Sequence, residues 1–415
     1  MDDLRLTRPD RDQHLLVPTH WDALLPADHD ARMIWAVTGR LDLSAFHDAI
    51  VARGTAPGRS PIDPRLLIAL WLYATKEGVG SGRALERLCQ QHDAYRWLCG
   101  GVSISYHTLN DFRVMHGAAL DELLTQVLAT LVHHDIVTVA CIAQDGTRVR
   151  AGAGTASFRS RDALERLIVQ MRAQVERLKQ DLDGPSSATK RVLRNAERKL
   201  SRVNEALLAI TEQESAKAQQ KNKPSRDRAP RSSTTDPQAR IMRMADGGYR
   251  PAYNVQIATD VTSRAIVGVD VCNHGSDAGQ SEPMRRQVER RTGRRVSEQL
   301  LDGGYVSLSA IERAESEGVA IYAPLPQVRK PGTSAHSRRP GDGPGVMAWR
   351  SRMATPAAKL KYRSRAATVE TLHADAKAHR GMRAFAVRGI VKARCVALWF
   401  ALMHNIMRFA EVWMS

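Results

Sequence analysis

The sequence is short of acid, of paired cysteine and of long apolar runs, and each shortage closes off a class of function. Cys89, Cys99, Cys141, Cys272 and Cys395 are scattered, with no C-x-x-C among them. That spacing fits neither a zinc knuckle nor a disulfide framework. No apolar run approaches the roughly 20 residues that span a bilayer; the longest, CVALWFALM, is about half that. The opening residues, MDDLRLTRPDRDQH, hold no apolar leader segment, so nothing suggests export and the expectation is a reduced, cytoplasmic protein. Acids number 44 against 61 Lys and Arg, a formal charge of +17. Such an excess points to a polyanionic partner, nucleic acid before acidic membrane. At 415 residues, 43% hydrophobic and 25% charged, the chain is long enough for two or three domains with a proper core.

Residues 1 to about 135 read as helical. DPRLLIALWLYATKEG, GSGRALERLCQQHDAYRWLCGG and SYHTLNDFRVMHGAALDELLTQVLATLV carry apolar residues at helical spacing, broken at Gly78–Gly82 and Gly100–Gly101. Exposed arginines there fit either a helix-turn-helix-like DNA reader or a plain packing and dimerisation domain. The period then changes. Ile136 to Ala143 reads as a strand ending in Asp145-Gly146. Leu164, Ile168, Met171, Val175, Leu178 and Leu182, then Leu193, Ala196, Leu200, Val203, Leu207 and Ile210, alternate steps of four and three around DGPSS. This predicts an antiparallel helical hairpin, followed by a basic linker, KAQQKNKPSRDRAPRSSTTDPQAR. YNVQIATD and AIVGVDV read as a half-buried strand hairpin turned at Asp260, and SDAGQSEPMRRQVERRTG as a helix capped by Asp277. A strand ending in Asp302, a helix, a strand and late helices complete a mixed α/β domain.

Three acids stand out. Asp145 and Asp302 close strands, and Glu370 lies within YRSRAATVETLHADAK among Tyr362, Arg363, Arg365 and Lys377. Acids at neighbouring strand ends can converge on a common crevice, and clustered carboxylates become stable by sharing divalent cations. Two such ions can activate a water or 3′-hydroxyl and stabilise the leaving oxygen of a phosphodiester. Singly, Asp before Gly is a common turn, and mixed charge on a helix is a common solvated face. Trp349 reads as a packing anchor or as a platform for an unpaired base. His373 and His379 have no metal-ligand spacing.

Together QDGTRVRA, TTDPQARIMRMADGGYRPAYNVQIATD, LLDGGYVS and YRSRAATVETLHADAKAHRGMRAFAVRG resemble the DDE transposases of bacterial insertion sequences. WLYATKEGVGSGRALERLC, AYRWLCGG and ALMHNIMRF extend the resemblance over nearly the whole chain. The resemblance implies an RNase H-like mixed-sheet core with an N-terminal all-helical domain and an inserted helical hairpin. The implied boundaries are 1–135 for the N-terminal DNA-binding or dimerisation domain, 136–157 for the first part of the core, 158–235 for the hairpin and linker, and 236–415 for the remainder. It further implies that Asp145, Asp302 and Glu370 are catalytic and hold two Mg2+ or Mn2+ ions, and that Lys377, Tyr362, Arg363 and Arg365 contact DNA. The wider pattern is Tyr-x2-Arg-x3-Glu, whereas four residues separate Arg365 from Glu370. On an α-helix Arg363, seven residues before Glu370, shares its face better. The implied activity is terminal-repeat binding, strand cleavage and strand transfer, with a homodimer on DNA and no membrane. A transposase-derived regulator without catalysis, or a metal nuclease that cuts without joining, remain open alternatives.

Overall fold

The structure is a computed structural model that describes residues 20–48, 50, 60–180, 187–219, 229–327 and 334–414. Among the described residues eight strands form, in chain order β1 (Cys141–Arg150), β2 (Phe158–Arg159), β3 (Ser232–Ser233), β4 (Arg240–Arg243), β5 (Tyr249–Asp260), β6 (Ile266–Cys272), β7 (Glu298–Leu301) and β8 (Ala320–Tyr322). Six make one mixed sheet in the order β4-β5-β1-β7-β8, with β6 also paired to β5. β5 runs antiparallel to β1, β4 and β6, while β1, β7 and β8 are parallel. A parallel pair needs a crossover, and the helix Ser281–Thr292 lies in the connection from β6 to β7.

Two strand expectations are corrected. β1 begins at Cys141 rather than Ile136 and continues through Asp145-Gly146 to Arg150, so the Asp-Gly pair lies within a strand. Nine consecutive residues of β1 are registered against β5, and that ladder overrides the local turn preference of Asp-Gly. The hairpin of β5 and β6 is buried on both faces, because Asn254 and Gln256 are as inaccessible as Val255 and Ile257. Asp260 does turn it, accepting from the Ser263 amide at 2.8 Å.

The helices between Asp30 and His133 share one hydrophobic core with the sheet and with the closing helix Ile390–Arg408. That helix packs on Pro64–Lys76, on Gly117–His133 and on β6. Trp399 donates its indole N–H to the Arg113 carbonyl at 3.0 Å. Asn405 accepts from the Ile266 amide at 2.8 Å and donates to the Ile266 carbonyl at 2.9 Å. By length and composition the closing helix could span a membrane, yet 67% of its apolar window is buried in the protein. Trp349 is fully buried and donates to the Ala323 carbonyl at 3.1 Å, a packing anchor.

The helices Arg161–Gln180 and Ser187–Gln219 form an antiparallel arm. Leu164, Ile168, Val203, Ala206 and Ile210 give it a small core of its own, and β2 pairs with β3 across its neck. The expected turn at 183–186 and residues 220–228 of the expected linker lie outside the described residues. Beyond them the linker expectation is corrected, because Ser232–Ser233 pairs as β3 and Ser232, Ser233 and Asp236 are buried.

Candidate active site

Strand register assembles the first two acids. β1 and β7 pair in parallel up to Gln144 opposite Leu301, so Asp302 follows at the level of Asp145. Side chains alternate faces along a strand, and Ala143 is registered with Leu300. Asp145 and Asp302 therefore leave the sheet on the same side, from strands roughly 4.8 Å apart. Asp302 sits immediately after its strand, accepting from the Gly303 amide at 2.6 Å to start a short 3-10 turn.

The third acid arrives on a helix laid over that face. Pro356–Arg365 is α-helical, Ala366–Glu370 forms a π-turn, and Thr371–Ala378 is α-helical again. The π-turn packs on β1 and β5. It also revises the sequence argument about the two arginines. A π-turn bonds i to i+5, which brings Arg365 and Glu370 onto one side. The guanidinium of Arg365 lies 2.6 Å from Glu370 Oε1 and 3.2 Å from Asp145 Oδ2, with its side chain 11% exposed. Arg363, which α-helical geometry favours, is exposed. Tyr362 offers its ring to Arg365 at 5.7 Å.

Charges of both signs act across this group. Burial pushes the Asp145 carboxyl up; Arg365 and the Gly146 amide pull it down, while Asp302 and Asp277 push it further up. Burial pushes the Tyr362 phenol up, against Arg365. Arg365 is raised because Tyr362, Asp145, Glu370 and Asp302 outweigh the opposing effect of burial. Lys377 is lowered by burial and by Arg148, and Asp145 opposes that. The Glu370-x6-Lys377 spacing thus delivers the ammonium to the same site. His373 is buried against the Asp145 backbone, its pKa pushed down to about 4 by burial and then by the Lys377 charge. Among the described residues neither ring nitrogen has a well-formed hydrogen bond. His379 is exposed.

The opposite face of the sheet carries a polar network that the sequence reading does not anticipate. Asp277 does not cap the helix; its Oδ1 accepts from Asn254 at 2.7 Å and Gln256 at 2.8 Å, and Oδ2 from Arg148 at 3.0 Å. Gln144 donates to Gln256 at 3.0 Å, Gln299 donates to Gln144 at 3.0 Å, and the Tyr305 hydroxyl donates to Gln256. Gly146 faces this network. A Cβ there would stand 2.3 Å from Asp277 Oδ1 and from Gln256 Nε2, so the Asp-Gly pair reflects close approach rather than a turn. The signal available in the sequence was the run of amides alternating with apolar residues in β5.

Among the described residues no three His, Cys, Asp or Glu are gathered closely enough to hold a metal ion as they stand. What the site gathers is two carboxylates on one guanidinium, with a third carboxylate and an ammonium within electrostatic reach.

Two family models match the chain. Residues 19–115 match "Transposase domain (DUF772)", and residues 346–410 match "Transposase DDE domain". No curated protein and no solved structure matches. The first match covers the N-terminal helices up to Met115, and the second runs from Val346 past Glu370 and Lys377 through the closing helix to Ala410. Both matches are to transposase domains. More particularly, together they support a DDE transposase of an insertion sequence.

Proposed function

We propose that the chain binds the terminal inverted repeats of its element and catalyses divalent-metal-dependent strand cleavage and strand transfer on an RNase H-like core. The observation that carries this reading is the meeting of Asp145 and Glu370, far apart in sequence, on one side of the sheet with Asp302 at the same level. The order β6-β5-β1-β7-β8, with β5 alone reversed, supports the RNase H-like core. Asp145, Asp302 and Glu370 would hold the metal, two Mg2+ or Mn2+ ions in this reading. Their donors are all carboxylate oxygens, which suits hard cations, and burial holds the Asp145 carboxyl above its ordinary range despite Arg365, which a bound cation would oppose. When bound, such ions polarise the phosphodiester and generate the oxygen nucleophile.

The chain's own groups do the positioning. Lys377, at the rim beside Asp145 and Arg148, is placed to hold a DNA phosphate near the cut. Arg365 occupies the space between Asp145 and Glu370 with Tyr362 beside its guanidinium; it would have to give that space up to a metal ion held by the two carboxylates and would then be free to hold phosphate. Arg363, on the exposed side of the same helix, contacts DNA outside the pocket. His373 stays neutral underneath, so it adds no like charge beneath Arg365 and Lys377. Two DNA ends must be joined, which favours a homodimer on DNA.

The deciding experiment incubates the full chain with labelled terminal-repeat DNA and Mg2+. Joined products carry the reading. Cuts without joining would favour a nuclease, and shifted but intact DNA a regulator. Asp145→Ala, Asp302→Ala and Glu370→Ala should each abolish cutting while leaving the shift; retained cutting in any of them removes that residue from the reaction.

A further inference from the structure

We propose that the distal half of the helical arm is a clamp for duplex DNA that grips phosphates without reading bases. The setting rests on the transposase reading, but the evidence is the distribution of charge along the arm. Residues 171–202 carry nine Lys and Arg against four Asp and Glu. Residues 161–170 and 203–219, at the neck end, carry three against five Asp and Glu. Neutral composition would have zipped the same apolar seam, so the seam does not account for the segregation. Near the neck, charge is matched internally, with Arg161 paired to Glu214 at 2.6 Å and Glu165 at 3.6 Å. In the distal half, the ion pair among the described residues is Lys179 with Glu176, at 3.3 Å.

The cations are also ordered. Arg191, Arg194 and Arg198 are exposed and spaced by three and four, so they form one strip along the helix. At about 100° per residue that strip lies roughly opposite the seam of Leu193, Ala196, Leu200 and Val203. Like charges at this spacing destabilise a helix, a cost that an outside anion would offset. The strip is about 10 Å long at 1.5 Å per residue, long enough for about three phosphates of one strand at 3.4 Å. A 20-residue helix is about 30 Å long, so the basic half stands some five to nine base pairs of duplex away from the neck. The arm therefore engages DNA well away from the cut. A second arm is a poor occupant, since it would set like charge against like. An anionic bilayer is a poor one too: Val192 is the exposed large apolar side chain of the distal half among the described residues.

The test combines Arg191→Gln, Arg194→Gln and Arg198→Gln in the full chain. Binding to a labelled arbitrary-sequence duplex of about 40 base pairs is followed by fluorescence anisotropy in EDTA, from about 50 to 200 mM KCl. The expected result is a log-log salt slope shallower by about 2 to 3, at about 0.9 per lost phosphate contact, with affinity down about tenfold or more. The matching Arg→Lys variant should keep the wild-type slope, which separates charge from folding. An unchanged slope in the Gln variant overturns the proposal. So does a variant whose defect is confined to anionic vesicles or to self-association by light scattering. Cutting is not read in this assay, so failure of the clamp and failure of the transposase reading remain distinguishable.

Discussion

Deleting Ala367 tests whether the π-turn sets the register of the site. Arg365 and Glu370 are five residues apart; on an uninterrupted α-helix they would stand about 140° apart around the axis, against about 40° for a four-residue separation. The π-turn at Ala366–Glu370 absorbs the extra residue, so the helices on either side keep the mutual orientation of an α-helix one residue shorter. Ala367 is exposed. Its removal should turn the segment α-helical and leave Arg365 facing Glu370, whereas an additional alanine after Ala367 should swing Glu370 and Lys377 about 100° away from Asp145. The readout is a double-mutant cycle between Arg365→Gln and Glu370→Gln, measured by urea denaturation in each background. Glu370 is about half exposed in a 2.6 Å pair, so the coupling should be about 0.5–1 kcal/mol. The deletion should preserve that coupling and the insertion should abolish it. Loss of coupling in the deletion, or its survival in the insertion, would refute the register argument.

Two further outcomes follow from the two faces of the sheet. Gly146→Ala drives a methyl into Asp277 and Gln256 at 2.3 Å and Asn254 at 2.7 Å; overpacking at about 1–3 kcal/mol and a lost buried bond at about 1–3 kcal/mol predict destabilisation of about 2–6 kcal/mol, visible as a lower urea midpoint. A change within about 0.5 kcal/mol, the range of an ordinary surface substitution, would mean that the network yields freely. Asp145→Asn should stabilise the metal-free protein in EDTA at neutral pH. The folded carboxyl is raised above its ordinary 3.8, so the folded state binds the proton more tightly and stability falls as pH rises through the interval above 3.8. The gain from the amide should therefore vanish below that interval and be full at neutral pH; a variant less stable than wild type at neutral pH would show that Arg365 outweighs burial.

Much of the architecture was legible in the residues. The three-and-four spacing of Leu164 to Ile210 marked the arm, and the apolar run around Leu66 to Tyr73 marked a buried helix. The seven-residue spacing puts Glu370 and Lys377 on one helical face as an expectation; in the structure Lys377 acts on Asp145 and Arg148. Other features were not, because they depend on pairings between distant segments. Asp145-Gly146 has the local signature of a turn, and only the ladder with β5 keeps it in a strand. Asn254 and Gln256 have the signature of an exposed strand face, and only Asp277, Gln144 and Tyr305 make their burial affordable. The choice of Arg365 over Arg363 turned on a π-turn that no spacing rule for α-helices contains.

The two halves of the charge problem then fit together. A chain with a net +17 buries acids in its best candidate site: burial raises the Asp145 carboxyl, Asp302 adds to that, and one guanidinium shared with Glu370 does not bring it back to the ordinary range. The surplus cations are placed elsewhere, on the distal arm and at Arg363, with Lys377 at the edge of the site within reach of Asp145. Had the excess been a general solubility device, nothing would keep it out of the pocket that most needs it. A site that must take divalent cations between its own acids and hold phosphates around them requires this separation, because side-chain cations crowded into the pocket would compete for the same carboxylate oxygens. Arg365 is the exception inside the pocket, and it is held by the one helical turn whose geometry departs from its neighbours.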